Sequence, residues 1–211
     1  MRNSNQMRRK TAYHHGELAQ ALVRAAMSQA AAGGVDSITM RAVAQRVGVT
    51  PAAAYHHFTS KEHLLAACAE RAFAALLERF DAIMTRSFAS ALDRFEAVGR
   101  AYVAHALAHP AHFRIMFGSH MLDVADVLAA ESAGRRARQV FEDAAAAVAT
   151  ELGAGVTTLQ VIQVGWSGMV GVIMLVLERE LGPEMDTAAI DAMIDTVMRA
   201  LRAGLHGLGT R

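Results

Sequence analysis

An all-α fold of about nine helices is what the sequence predicts. Three observations point there. Alanine and methionine are abundant and only three residues are proline; alanine loses no side-chain entropy in a helix, whereas proline breaks one. Apolar residues recur at three- and four-residue spacing along most of the chain. No alternating pattern of useful strand length and no internal repeat is present.

The elements follow in order. Residues 1–12 are basic and polar and read as a flexible arm. A helix is predicted from about His14 to Ala32, with Leu18, Leu22, Ala25, Ala26 and Gln29 at helical spacing and Gly33-Gly34 as its stop. Thr39 is placed to cap a helix over Met40–Val47, which Gly48 ends in the left-handed conformation glycine tolerates. Thr50 caps a short helix with Pro51 at its first position, where the missing N–H costs nothing; it ends near His57-Phe58. Ser60 opens a long helix to about Arg86, on which Leu65, Ala69, Ala72, Leu76, Phe80 and Ile83 form one apolar stripe. Further helices are expected over Asp93–Ala108, Ala111–Phe117, Asp123–Leu152, Thr157–Leu181 and Thr187–Leu205, the last with Ile190, Ile194, Val197, Met198 and Leu201 on one face.

Length and composition bound the class. The chain has 211 residues, 53% hydrophobic and 19% charged, which suits one large domain or two small ones and excludes wholesale disorder. The one cysteine, Cys68, forms no internal disulfide, so a reducing compartment suits the chain. The N-terminus lacks the apolar run of a secretory signal, and a cytoplasmic protein is expected. Residues 1–65 carry eight Lys or Arg against three Asp or Glu, a net +5, and residues 66–211 carry thirteen against seventeen. That asymmetry fits a polyanion bound at one end; a solvated arm would give it too.

The stretch 37–65, SITMRAVAQRVGVTPAAAYHHFTSKEHLL, carries the functional information. Two short helices meet at a tight turn, Gly48-Val49, where Ala44, Val47 and Ala53 let them cross closely. The second is too short and too alanine-rich to serve core burial. It presents Thr50, Ala52, Tyr55 and His56, small enough for its backbone to enter a major groove and polar at its ends. This pattern, with the preceding helix and its Gly33-Gly34 ending, resembles the tetracycline-repressor (TetR) family over about Tyr13–Ala67. The resemblance implies a helix-turn-helix domain over 13–59 and a ligand-binding and dimerisation domain over 60–211. It also implies roles: Thr39 and Arg41 on phosphates, Arg41 also reaching a base edge; Thr50 and Tyr55 donating to phosphates; Ala52, Ala53 and His56 facing bases; Lys61 adding a phosphate contact at a helix N-terminus. Pro51 and His57 belong to the same face, although His57 equally suits a packing histidine. Thr39, Thr50 and Ser60 cap helices with or without DNA. The same resemblance makes Arg8, Arg9, Lys10 and Tyr13 a DNA-facing arm, although Tyr13-His14-His15-Gly16 also suits a simple helix start. Phe58 and Ala54 are expected inside.

Residues 152–177 hold no charged side chain. By length this is a transmembrane candidate, but Gln160, Gln163 and Ser167 form a polar stripe, and the segment ends in Glu178-Arg179-Glu180 rather than in a basic flank. A buried soluble helix is the preferred reading, and no membrane partner is expected. In the family the last two helices form a dimer interface, so a homodimer on palindromic double-stranded operator DNA is implied. The segments HPAHFRIMF (109–117) and WSGMVG (166–171) are similar to a subgroup with a Trp…His-Gly signature, with Val170 where its histidine is expected. A pocket for a partly apolar small-molecule effector is expected from Tyr102, His105, Phe113, Met116, Phe117, Met121, Trp166, Met169 and Ile173; each also suits plain core. His105, His109 and His112 share helical spacing, but Pro110 interrupts them and no cysteine or carboxylate sits at ligand spacing, so neither metal nor cofactor is expected. No nucleophile elbow, phosphate loop or paired carboxylates occur, which argues against an enzyme. The reading is a ligand-released repressor; the alternative is a DNA-binding regulator without a small-molecule ligand, constitutive or controlled by a protein partner.

Overall fold

The computed structural model describes the backbone of residues 3–117, 132–153, 155–182 and 185–209, and side chains between residues 16 and 207 of these stretches. Among the described residues there are nine α-helices, one 3-10 helix and no strand: α1 (Asn3–Gly33), a 3-10 turn (Val35–Ser37), α2 (Met40–Val47), α3 (Pro51–His57), α4 (Lys61–Met84), α5 (Ala91–Ala108), α6 (Pro110–Phe117), α7 (Ala133–Leu152), α8 (Thr158–Leu177) and α9 (Thr187–Gly209).

The chain divides into two compact units. One comprises Met1–Ala72 with the segment that starts at Ala111; the other comprises Phe73–Pro110 and the chain from Glu131 on. In the first, α1 buries Leu22, Ala26 and Ala30, α2 buries Met40, Val43 and Ala44, and α3 buries Ala54. The turn after α1 is closed by Ser37, whose hydroxyl donates to the Gly34 carbonyl at 2.6 Å, and by the Gln29 amide, which donates to the Ser37 carbonyl at 2.7 Å. Arg46 donates to the Ser28 hydroxyl at 3.0 Å and ties α2 to α1. The α4 stripe is buried as its spacing predicts, Leu65 through Ile83. Cys68 lies within it; burial pushes its thiol up to about 12, far from a reactive thiolate.

In the second unit α5, α7 and α8 pack on one another, and α9 lies chiefly against α8, touching α5 sparingly. Glycines set the close approaches. A Cβ on Gly165 would fall 2.5 Å from the Phe95 ring, one on Gly168 2.8 Å from Leu201, and one on Gly99 2.7 Å from the Met169 sulfur. Those large side chains occupy the space where no Cβ stands. Glu151 at the end of α7 accepts the Ala91 N–H, capping α5 across the unit.

Several boundaries differ from expectation; α4 ends at Met84, two residues before Arg86, and α9 runs to Gly209, four past Leu205. α1 begins at Asn3 rather than near His14, because residues 3–13 contain neither glycine nor proline to stop a helix propagating backwards. α5 begins at Ala91, two residues early, because Ser90 is its cap and accepts the Asp93 N–H. α8 stops at Leu177, four residues early. Glu178 is its C-cap, and Arg179 turns left-handed with φ 57°, the one non-glycine residue to do so among those described. The start of the helix predicted at Asp123 lies outside the described residues, which take it up at Ala133.

Candidate nucleic-acid interface

The helix-turn-helix is assembled by local chemistry. Thr39 stands at φ −131° and its hydroxyl oxygen accepts the Ala42 N–H at 3.2 Å, opening α2. Gly48 stands at φ 79° with its N–H on the Ala44 and Gln45 carbonyls, and the Val49 N–H closes the turn on the Ala44 carbonyl. Two residues later Thr50 accepts the Ala53 N–H at 3.2 Å and Pro51 opens α3. Each threonine hydroxyl accepts a capping bond and keeps its own proton to donate. A phosphate oxygen beside either residue would take that proton without cost to the cap.

α3 has one inward residue, Ala54, and Phe58 follows it into the core. Pro51, Ala52, Tyr55 and His56 are exposed, as are Thr39, Arg41 and Thr50 on the preceding segments; Ala53, His57 and Lys61 are half-buried. Tyr55 is 50% exposed. His56 and His57 meet edge to face at 6.0 Å. Ser60 accepts the His63 N–H at 3.1 Å, while His63 Nδ1 accepts the Thr59 N–H at 3.4 Å and its ring packs edge-on to Phe58 at 5.4 Å. This reciprocal cap fixes the start of α4, where Lys61 is first. Glu62 beside it is held below the usual carboxylate range by its own backbone N–H and by Ser60. The sequence did not single out His63, although Ser60-x-x-His63 carries the spacing of a capping box. For Arg8, Arg9, Lys10 and Tyr13 the side chains lie outside those described.

The predicted effector residues are divided between the two units. Tyr102, His105, Trp166, Met169 and Ile173 lie in the second unit, whereas Phe113, Met116 and Phe117 belong to the first; Met121 is outside the described residues. Within the second unit Tyr102 of α5 stacks on Trp166 of α8 at 5.3 Å and 29°. Phe141 of α7 meets Trp166 at 5.7 Å and Phe95 at 5.2 Å. One turn beyond Tyr102, His105 is 1% exposed and its ring lies 5.0 Å from that of His109. Burial drives the Tyr102 phenol well above its usual value, so it stays protonated. Phe95 and Phe141, absent from the prediction, complete this run of rings; their signal was only an aromatic on an apolar stripe. Met169 instead fills the space beside Gly99. Among the described residues no three His, Cys, Asp or Glu gather to hold a metal ion.

Residues 22–68 match the family of bacterial regulatory proteins, tetR family, and residues 95–201 match the tetracyclin repressor-like C-terminal domain, together more than half of the chain. The chain belongs to the TetR family. It is thus a DNA-binding transcription regulator with a helix-turn-helix, and not an enzyme. Solved structures agree on the fold. A protein of unknown function from Rhodococcus sp. RHA1 is 26% identical with a TM-score of 0.67, covering 89% of this chain and 97% of that one. A TetR variant from Acinetobacter baumannii AYE, in complex with minocycline, is 22% identical with a TM-score of 0.64, over 89% and 95%. The fatty acid degradation regulator FadR from Bacillus halodurans is 12% identical with a TM-score of 0.64, over 87% and 93%. A search of curated proteins by sequence finds no match. α8 is long and apolar enough to cross a membrane by length and composition; in this TetR chain it buries Val161, Gly165, Met169, Val172 and Ile173 inside its own unit.

Proposed function

We propose that this TetR regulator is a repressor that binds palindromic operator DNA as a homodimer and leaves it when a partly apolar small molecule enters the C-terminal unit. The observation that carries the DNA reading is the exposed face of α3: Ala52, Tyr55 and His56 outward, with a capping threonine at the head of α2 and of α3. Alanine methyls suit thymine methyls, His56 is the polar reader, and Thr39, Arg41, Thr50, Tyr55 and Lys61 supply phosphate contacts. Arg41 is also assigned a base edge. Pro51, Ala53 and His57 complete the surface.

The second copy is assigned to α8 and α9. Leu159, Met174 and Leu175 are exposed on α8, and a Cβ on Gly171 would meet nothing within 4 Å, which leaves room for another helix to approach. The effector is assigned to the ring run around Tyr102 and Trp166, with His105 as a polar partner. Its entry favours a dimer state with a different separation of the two α3 helices; α4, continuous from Lys61 to Met84, is the natural lever. A preference of a few kcal/mol empties the operator. The second reading is a regulator without a small ligand, constitutive or controlled by a protein partner. A cytoplasmic location goes with either reading.

The test is a salt-titrated binding assay on the DNA flanking the gene. The proposal requires protection over a palindrome and an affinity that falls steeply with salt. Tyr55→Phe then weakens binding about equally on all sequences, and His56→Ala changes preference at one base position. An unchanged preference in His56→Ala sinks the assignment of the reading helix. Compounds that release the DNA separate the first reading from the second.

A further inference from the structure

Five charged side chains form a ladder between α5 and α9. Arg202 of α9 donates to Asp93 at 2.7 Å and to Glu96 at 2.6 Å, both on α5. Glu96 also accepts from Arg100 Nε and Nη2 at 3.1 and 2.9 Å. Arg100 then reaches back across to Asp195 of α9 at 2.7 Å. The positions explain the fit: Asp93, Glu96 and Arg100 lie on one face of α5, and Asp195 and Arg202 sit two turns apart on α9.

The apolar contact below is adaptable. Met198 and Met169 close on Gly99, and the cavity beside them has Leu92, Leu201 and Leu205 in its wall. The flexible methionines there adapt to more than one seating of α9 on α5, and α5 and α9 touch sparingly elsewhere. The ladder selects one. Desolvation pushes the Glu96 carboxyl up, yet the Arg202 and Arg100 hydrogen bonds outweigh it and hold it below the usual range; the Arg202 hydrogen bond does the same for Asp93. All five groups retain some exposure, from 23% to 58% of the side chain, so dissolved salt screens them.

We infer that this ladder makes self-association of the chain sensitive to ionic strength: closed, it seats α9 in the one position that a second copy fits, and salt opens it. The inference rests on the dimer reading above. An apolar interface alone is not weakened by KCl, so the sign of the salt effect is informative.

Sedimentation of the full chain without DNA tests this. Between about 0.1 M and 1 M KCl, where the screening length falls from about 10 Å to about 3 Å, the dimer Kd of the unaltered protein rises about tenfold. Arg202→Met is already weaker by about tenfold at low salt and responds less than about threefold to KCl. Arg138→Gln, which breaks an exposed pair with Glu142 within α7, behaves as the unaltered protein. Circular dichroism checks that each variant folds, and Asp195→Asn is the milder substitute where Arg202→Met does not. Arg100→Asp weakens the dimer, and adding Asp195→Arg restores it in part: the pair across to α9 re-forms with reversed charge, while the bonds of Arg100 to Glu96 stay lost. Equal Kd and equal salt response in Arg202→Met and the unaltered protein, or no rescue by the swap, overturns the ladder. Met174→Glu on the outward face of α8 separates the two ideas. If it dissociates the dimer while the ladder variants do not, only the ladder fails. If it leaves the dimer intact, the assigned interface fails and the ladder with it.

Discussion

α3 and α8 use a helix in opposite ways. α3 has seven residues and buries one of them, Ala54; its shape comes from Pro51 and from Thr50 and the αL turn at Gly48, which stand just before it. α8 has 20 residues, no charge, and buries five of them; its position comes from side chains on α5, α7 and α9 that fill the places of its absent Cβ atoms. The difference follows from what each must do. The reading role proposed for α3 needs a surface that stays unburied until DNA arrives, so local bonds more than burial set its shape. A central packing helix can borrow its precision from neighbours.

Substitutions can break that comparison, beginning with the largest expected effect. Gly165→Val puts a branched side chain into the Phe95 ring, which is itself pinned against Phe141. We expect a loss of about 3 kcal/mol from overpacking, read as a fall in the urea midpoint. A loss below about 0.5 kcal/mol would mean that the ring moves freely and that α8 is not set by this contact. Thr50→Ala removes the cap of α3 and costs about 1 kcal/mol. It also weakens binding to any DNA, since the same hydroxyl is the proposed phosphate donor; a mobility-shift series against Thr50→Asp separates cap from contact, because aspartate accepts the Ala53 N–H but has no proton to donate. Gly16→Ala has the smallest effect and the opposite sign. Nothing lies within 4 Å of a Cβ there, so α1 gains up to about 1 kcal/mol from the lost backbone freedom of glycine. Thermal unfolding that shows destabilisation at Gly16 would reveal a contact absent from the free chain.

The same contrast explains what was legible beforehand. Caps, a left-handed glycine and a proline at a first helical position act over four residues or fewer, so α2, α3 and the inward Ala54 and Phe58 could be read directly. Long-range pairing could not. That Phe95, Phe141 and Trp166 share one run depends on how three helices cross, and no spacing along a single helix encodes it. Gln160 shows the limit within one element: read as part of a polar stripe, it spends its amide oxygen on the Thr157 N–H at 2.8 Å in a capping box. The early end of α8 was hidden because Arg179, not a glycine, adopts the left-handed turn. The histidines at 105 and 109 do come together as rings, but Pro110 starts a new helix, and this parts them from the regular spacing that first made a trio of them.

Trp166 is the one tryptophan in the chain, and it is stacked on a tyrosine, edge-on to a phenylalanine, in the second unit alone. Excited at the red edge, where the three tyrosines barely absorb, the protein therefore carries a single indole fluorophore whose emission belongs to one half of the molecule. Anything that parts the Tyr102–Trp166 stack changes its colour or brightness, whereas events confined to the helix-turn-helix leave it dark to the observer. Titrating compounds, salt or denaturant against that one signal follows the C-terminal unit without a label, and comparing it with DNA release in the same tube shows which of the two halves moves first.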